Sequence, residues 1–157
     1  MRTEVKHYND LSKDEFHDMI ALRIEVFVIE QNCPYQELDG LDKDAYHLLL
    51  WNESPRTGKE EIIGTVRILK AGVSYPEMAI GRVVSSPRYR GQGLGHLMME
   101  AVMTFINTTL GSQNVKLSAQ SHLKHFYERY GFVHTGKDYL EDGIPHSEML
   151  YHSPESE

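Results

Sequence analysis

Arg82-Val83-Val84-Ser85-Ser86-Pro87-Arg88-Tyr89-Arg90-Gly91-Gln92-Gly93-Leu94-Gly95 joins a strand to a helix. Met78 to Val84 is apolar and increasingly β-branched, the pattern of a short strand. Pro87 stops it, because proline has no N–H for the ladder. Beyond the stretch, Leu94, Leu97, Met98, Ala101, Val102, Phe105 and Ile106 recur at helical spacing and predict an amphipathic helix. Between strand and helix, Gly91, Gly93 and Gly95 alternate with other residues, flanked by Arg88 and Arg90. Glycine lets backbone N–H groups come close to a ligand, and a helix start offers free donors and a positive dipole end. With two guanidiniums beside it, the loop has the makings of a phosphate or pyrophosphate cradle.

Two familiar phosphate loops do not fit. No G-x-x-x-x-G-K-[ST] run occurs in the chain. For G-x-G-x-x-G, counting from Gly91 puts His96 at the last position, and counting from Gly93 puts Met98 there. Nor does an acidic residue follow at the end of the next strand to hold a ribose.

Arg90-Gly91-Gln92-Gly93-Leu94-Gly95 resembles the acyl-coenzyme A signature of the GCN5-related N-acetyltransferases, R/Q-x-x-G-x-G/A after a strand. Two further stretches, residues 27–40 (Phe27 to Gly40) and 141–146 (Glu141 to His146), are similar to the ElaA-like branch of that superfamily. The resemblance covers nearly the whole chain. It implies an α/β fold with a mixed, mostly antiparallel central sheet, flanking helices and splayed central strands that hold the cofactor. It also implies acetyl-coenzyme A as co-substrate and an amine as acceptor, either a small molecule or a peptide. On this resemblance the pantetheine arm runs along Val83, Val84 and Ser85, in a splay between that strand and the one from Val115 to Ala119. The pyrophosphate meets the N–H groups of Arg90, Gly91, Gln92, Gly93, Leu94 and Gly95. Gln120 stands where many relatives have an asparagine that touches the arm. The run Phe126 to Phe132 resembles the family's second motif, in which the tyrosine at the Tyr127 position gives a proton to the departing thiolate. From helical periodicity alone, Tyr127 is a core aromatic. The chemistry does ask for an acid there, since amine attack on a thioester expels a thiolate that a phenol can protonate.

A general base is less clear. Some branches carry a glutamate on the central strand, but here Arg82 is the only charged side chain of that segment. Glu30, Asp142, His146 and Glu148 are candidates, each more readily a loop hydrogen-bonding residue. Among them His146 has a side chain that titrates near neutrality. Water could also carry the proton. A non-catalytic acyl-coenzyme A sensor remains the alternative to an enzyme. Cys33 could be a nucleophile with His146 as activator, but a small buried hydrophobe at a helix end is the favoured reading. His122 and His125, three apart on a helix, invite a metal site with His134 or His146. No Cys or Asp partner has a tight ligand spacing, so no metal is expected.

The remaining bounds come from composition. A chain of 157 residues suits one domain, spanning 1–157. With 16 Lys+Arg against 23 Asp+Glu the formal net charge is −7, which argues against a nucleic-acid partner. The acidic run Glu37, Asp39 and Asp42 is expected near the acceptor entrance, attracting a cationic amine. One cysteine excludes an internal disulfide framework. No apolar run reaches membrane-spanning length and no signal-peptide core appears, so a cytoplasmic protein with no membrane partner is expected. Oligomeric state stays open, with a homodimer among the options.

In chain order, Glu4 to Tyr8 predicts a first strand. Ser12 and Glu15 form a capping box opening a helix whose face carries Phe16, Met19, Ile20, Arg23 and Phe27. Arg23 on that face is expected to be snorkelling or paired. The helix must yield between Glu30 and Tyr35, ahead of Pro34. His47 to Trp51 and Ile62 to Leu69 predict a hairpin, and Asn114 to Ala119 another strand. Ser121 is expected to cap a short helix ended by Gly131. Phe132 to His134 and Glu148 to Tyr151 predict closing strands, followed by a polar, frayed tail from His152.

Overall fold

The computed structural model describes residues 1–154. Seven strands form one sheet: β1 (Arg2–His7), β2 (Tyr46–Glu53), β3 (Glu60–Leu69), β4 (Met78–Ser85), β5 (Val115–Gln120), β6 (Phe132–Glu141) and β7 (Ile144–Tyr151). Their order is β1-β2-β3-β4-β5-β7-β6. Pairing is antiparallel for β1–β2, β2–β3, β5–β7 and β6–β7, and parallel for β4–β5. The helices are α1 (Lys13–Ile24), α2 (Leu94–Phe105) and α3 (Lys124–Glu128). By its internal contacts the chain divides into two compact units, Met1–Ile68 with Arg82–Val102, and Leu69–Gly81 with the chain from Met103 on.

In the first unit α1 opens as expected. The Ser12 hydroxyl accepts from the Glu15 N–H, and the Glu15 carboxylate accepts from the Ser12 N–H, completing the capping box. Met19, Ile20, Leu22 and Val26 pack in one cluster with Leu49, Ile62 and Val84. After Ile24 the helix widens into a π-type turn over Glu25–Glu30 and stops at Asn32, whose φ is +50°. That ending matches the break expected before Pro34. Leu48, Leu49 and Leu50 are all fully buried, so this segment does not alternate. The reason is that both faces are covered. Leu49 meets α1, whereas Leu50 lies beside Gly64 under α2. A Cβ on Gly64 would fall 2.6 Å from the Met98 sulfur and 3.3 Å from Leu50 Cβ, so α2 rests on strand backbone.

In the second unit β5 alternates strictly. Val115, Leu117 and Ala119 are buried, while Lys116, Ser118 and Gln120 face the other way. The closing strands run further than expected, over Phe132–Glu141 and Ile144–Tyr151. Their register shifts between His134 and Asp138, where Gly136 takes φ +96°. The Ser121 cap is corrected. Ser121 is the first residue of a 3₁₀ turn, the residue before α3 is Leu123 and makes no side-chain cap hydrogen bond, and the Ser121 hydroxyl lies 2.9 Å from that of Ser147. Of the expected tail, residues 155–157 lie outside the described residues. Ser153 is buried and its N–H donates to Asn114 Oδ1 at 2.8 Å.

Candidate active site

The glycine loop lies in the first unit. Ser86 is buried, its N–H donates to the Ile63 carbonyl at 2.7 Å, and its hydroxyl accepts from the Arg88 N–H. Pro87–Tyr89 then makes one 3₁₀ turn. Gly91 and Gly93 follow with φ of +82° and +74°, a conformation that costs side-chain-bearing residues about 1–2 kcal/mol. A Cβ on either would meet nothing within 4 Å, so the space before the loop is open. Gly93 also precedes the first residue of α2, and its carbonyl accepts from Leu97 N–H. Having no side chain, it cannot satisfy the other first-turn N–H groups, which an incoming anion can use.

Arg88 and Arg90 are engaged, which the sequence did not reveal. Arg90 makes a two-pronged pair with Glu30 at 2.9 and 2.6 Å, and Arg88 reaches Glu25 at 3.2 and 3.3 Å. Both carboxylates belong to the widened end of α1. The pairs are surface-exposed, so little free energy opposes exchange of a carboxylate for a phosphate.

Beside the loop, β4 carries Val83, Val84 and Ser85, of which Val84 is buried in the α1 cluster. The residue before them, Arg82, has φ +51°. Its guanidinium enters a network that includes the acidic run Glu37, Asp39 and Asp42. Arg23, fully buried, donates from Nε to Glu37 Oε1 at 2.6 Å and from a terminal nitrogen to Asp42 at 2.8 Å. Arg67 donates twice to Asp39, at 2.9 and 3.0 Å, and once to Asp42 at 3.3 Å. Arg82 reaches Glu37 and Asp39. Glu37 and Asp42 are buried against these arginines, whereas Asp39 pairs with Arg67 and Arg82 while staying partly exposed. Burial pushes the Asp42 carboxyl up, but the Arg23 and Arg67 guanidiniums outweigh it and hold it below the usual carboxylate range. Asp39 is likewise held low against burial by Arg67, the Leu41 N–H and Arg82. His47, wholly buried, donates from Nε2 to the Asp42 carbonyl, and burial depresses its pKa.

In the second unit Tyr127 is almost wholly buried. Its ring meets Phe126 and Phe132 edge-on, with centroids 5.0 and 6.3 Å apart. Burial pushes its phenol far above the usual value, so the hydroxyl stays protonated. His146 pairs across the ladder with Gln120 on one side and Tyr139 on the other. Its Nδ1–H donates to the Ile144 carbonyl at 2.7 Å, its Nε2 lies 3.3 Å from Glu141 Oε2, and its ring stacks on Tyr139. The Tyr139 hydroxyl donates to Ser118, which is 3.4 Å from Glu141. Sequence reasoning missed Tyr139 and Ser118, which become neighbours only through the register of three strands. Cys33 is buried. Among the described residues no three His, Cys, Asp or Glu side chains gather as metal ligands.

A strand ending in a glycine cradle at a helix start, within a mostly antiparallel seven-stranded sheet, is the architecture of an acyl-transferring domain. Residues 8–152 match the acetyltransferase (GNAT) domain family, and the chain belongs to it, in the ElaA-like branch. It is 37% identical over 145 residues to the ElaA protein of Escherichia coli K12, with 91% of each chain covered. A UPF0039 protein of Synechocystis is 36% identical over 149 residues, covering 95% of this chain and 94% of the relative. Among solved structures, an acyl-CoA N-acyltransferase from Pseudomonas aeruginosa superposes with a TM-score of 0.86 at 42% identity. That match covers 96% of this chain and 99% of the other. E. coli ElaA gives 0.86 at 35% identity, covering 96% and 99%. Family and neighbours together support a transferase of acyl groups. No helix among the described residues is long and apolar enough to cross a membrane.

Proposed function

We propose that the protein moves an acetyl group from acetyl-coenzyme A to an amine, borne by a small molecule or a peptide, by direct attack. The observation that carries this reading is the loop at the start of α2, with two left-handed glycines and open space where their side chains would stand. Those features fit a coenzyme pyrophosphate, because its charge needs close N–H donors and tolerates no intervening Cβ. Arg90 to Gly95 would supply these donors, Val83 to Ser85 would pair with the pantetheine arm through their backbone, and Gln120 would contact it. Acetyl-coenzyme A supplies the activated acetyl group. The amine nitrogen bonds to the acetyl carbon as the carbon–sulfur bond breaks. Tyr127 gives its phenolic proton to the departing sulfur, a role its protonated state suits. The proton shed by the amine goes to His146 or to water. At His146 only Nε2 can take it, since Nδ1–H is committed to the Ile144 carbonyl.

Thiol release from acetyl-coenzyme A across an amine panel tests the reading. Wild-type protein should release one thiol per amine acetylated, and Tyr127→Phe should lower turnover by roughly 10²–10⁴-fold with little change in Tm. Unchanged turnover would make Tyr127 a packing residue only. Tight coenzyme binding with no thiol release from any amine would favour a sensor.

A further inference from the structure

Three non-glycine residues among those described have positive φ: Asn32, Arg82 and Asp142. Asparagine and aspartate visit this region readily, whereas arginine does so at a cost. Asn32 ends a helix and Asp142 sits between two strands, but Arg82 lies inside β4, where extended backbone is the rule. Something must hold it there. Its own side chain does: Nε donates to Glu37 Oε1 at 3.1 Å, and a terminal nitrogen donates to the Glu37 carbonyl at 3.2 Å and Asp39 Oδ2 at 3.4 Å. The guanidinium also lies 5.5 Å from the centre of the Tyr35 ring. The far end of this clamp is itself fixed. Glu37 is buried, takes Arg23 Nε at 2.6 Å and accepts from the Tyr35 hydroxyl. Asp39 accepts two bonds from Arg67 and one from Leu41 N–H.

We propose that Arg82 is a positioning residue: its clamp on Glu37 and Asp39 imposes the left-handed kink in β4 and so aims the backbone of Val83–Ser85 at the coenzyme. The inference rests on the coenzyme reading of that segment. Strained backbone persists only where its surroundings over-determine it. Here the determining contacts are charge-assisted hydrogen bonds, which are stronger than neutral ones. Without the clamp, a residue with a Cβ other than asparagine or aspartate returns to extended backbone, and the coenzyme must re-impose the kink at the expense of affinity. Glycine meets no such cost at φ +51°.

Calorimetric titration of the full chain with acetyl-coenzyme A, alongside Tm, tests this on a series at position 82. Arg82→Ala should bind roughly tenfold more weakly, the factor that re-imposing a kink of this kind corresponds to. Arg82→Gly and Arg82→Asn should stay within about threefold of wild type, although both lose the side chain's hydrogen bonds. Arg82→Lys, with a point charge in place of a fork, should fall between. If Arg82→Ala does not fold, Arg82→Gln replaces it, with the same Cβ and no charge. A purely structural Arg82 would change Tm across the series with one common coenzyme Kd, and that result would overturn the inference. So would Gly and Ala variants weakened equally, since the side chain would then act by direct contact. Wild-type protein that does not bind the coenzyme would overturn the coenzyme reading itself, and the inference with it.

Discussion

Two sets of arginine–carboxylate pairs in the first unit use the same chemistry to opposite ends. Arg23, Arg67 and Arg82 close on Glu37, Asp39 and Asp42, with Arg23, Arg67, Glu37 and Asp42 buried. Arg88 and Arg90 pair with Glu25 and Glu30 at the surface, their side chains 64% and 46% exposed. Inside, a lost partner leaves a charge with no water to turn to, so the network fixes the segment over β3 and β4. Outside, water competes for each ion at little cost, and the arginines can change partners. Burial, rather than the identity of the pair, separates fixed partners from exchangeable ones.

The contrast breaks most sharply at Arg23. Arg23→Met should take one guanidinium from each of the buried carboxylates Glu37 and Asp42 and cost about 3–5 kcal/mol, a fall in Tm on the order of 10 °C, read by thermal unfolding. A loss below about 1 kcal/mol would mean that the network does not hold the fold. Gly93→Val should do the reverse. It should abolish coenzyme binding by calorimetry while costing roughly 1–2 kcal/mol of stability, the penalty of a left-handed valine. Acid should reach the buried network next. His47 has a depressed folded pKa, so the unfolded chain takes up the proton first, and stability should begin to fall as pH drops below about 6.5. Asp39 and Asp42 are also depressed, so their contribution is complete above the unfolded value near ~3.9 and disappears as pH falls through their folded values. Tm recorded against pH should show both steps, and His47→Gln should remove the upper one. The smallest effect belongs to Arg90→Gln, which should move stability by less than about 1 kcal/mol while weakening coenzyme binding a few-fold and flattening its salt dependence.

Much of the fold was legible because it depends on neighbours in sequence. The capping box at Ser12 and Glu15, the strand from Met78, the stripe on α2 and the β2–β3 hairpin all follow from local pattern. The expected strand ended at His134, whereas β6 continues to Glu141 through a register shift in an exposed stretch that carries no apolar alternation. Ser121 was misplaced as a cap because Ser147, its hydroxyl's neighbour, stands 26 residues away. The arginine partners of the acidic run were not legible, because only the fold brings Arg23, Arg67 and Arg82 to it from an α-helix and two strands. The glycine loop itself was legible because its amides are consecutive in the chain. The approach of His146 to Glu141 was not, since it depends on the β6–β7 register.

The contact of Gly64 with Met98 has a bearing on ancestry. The glycine loop at residues 90–95, proposed to hold the coenzyme, leads into α2, and the height of that helix is set about thirty positions earlier by the absence of a methyl group on β3. A descendant could keep every letter of the loop and still present its amides off target after one substitution at 64. Drift in the loop and drift at that strand position are therefore not independent. A search that scores the glycine motif alone will accept chains whose helix sits too high to use it.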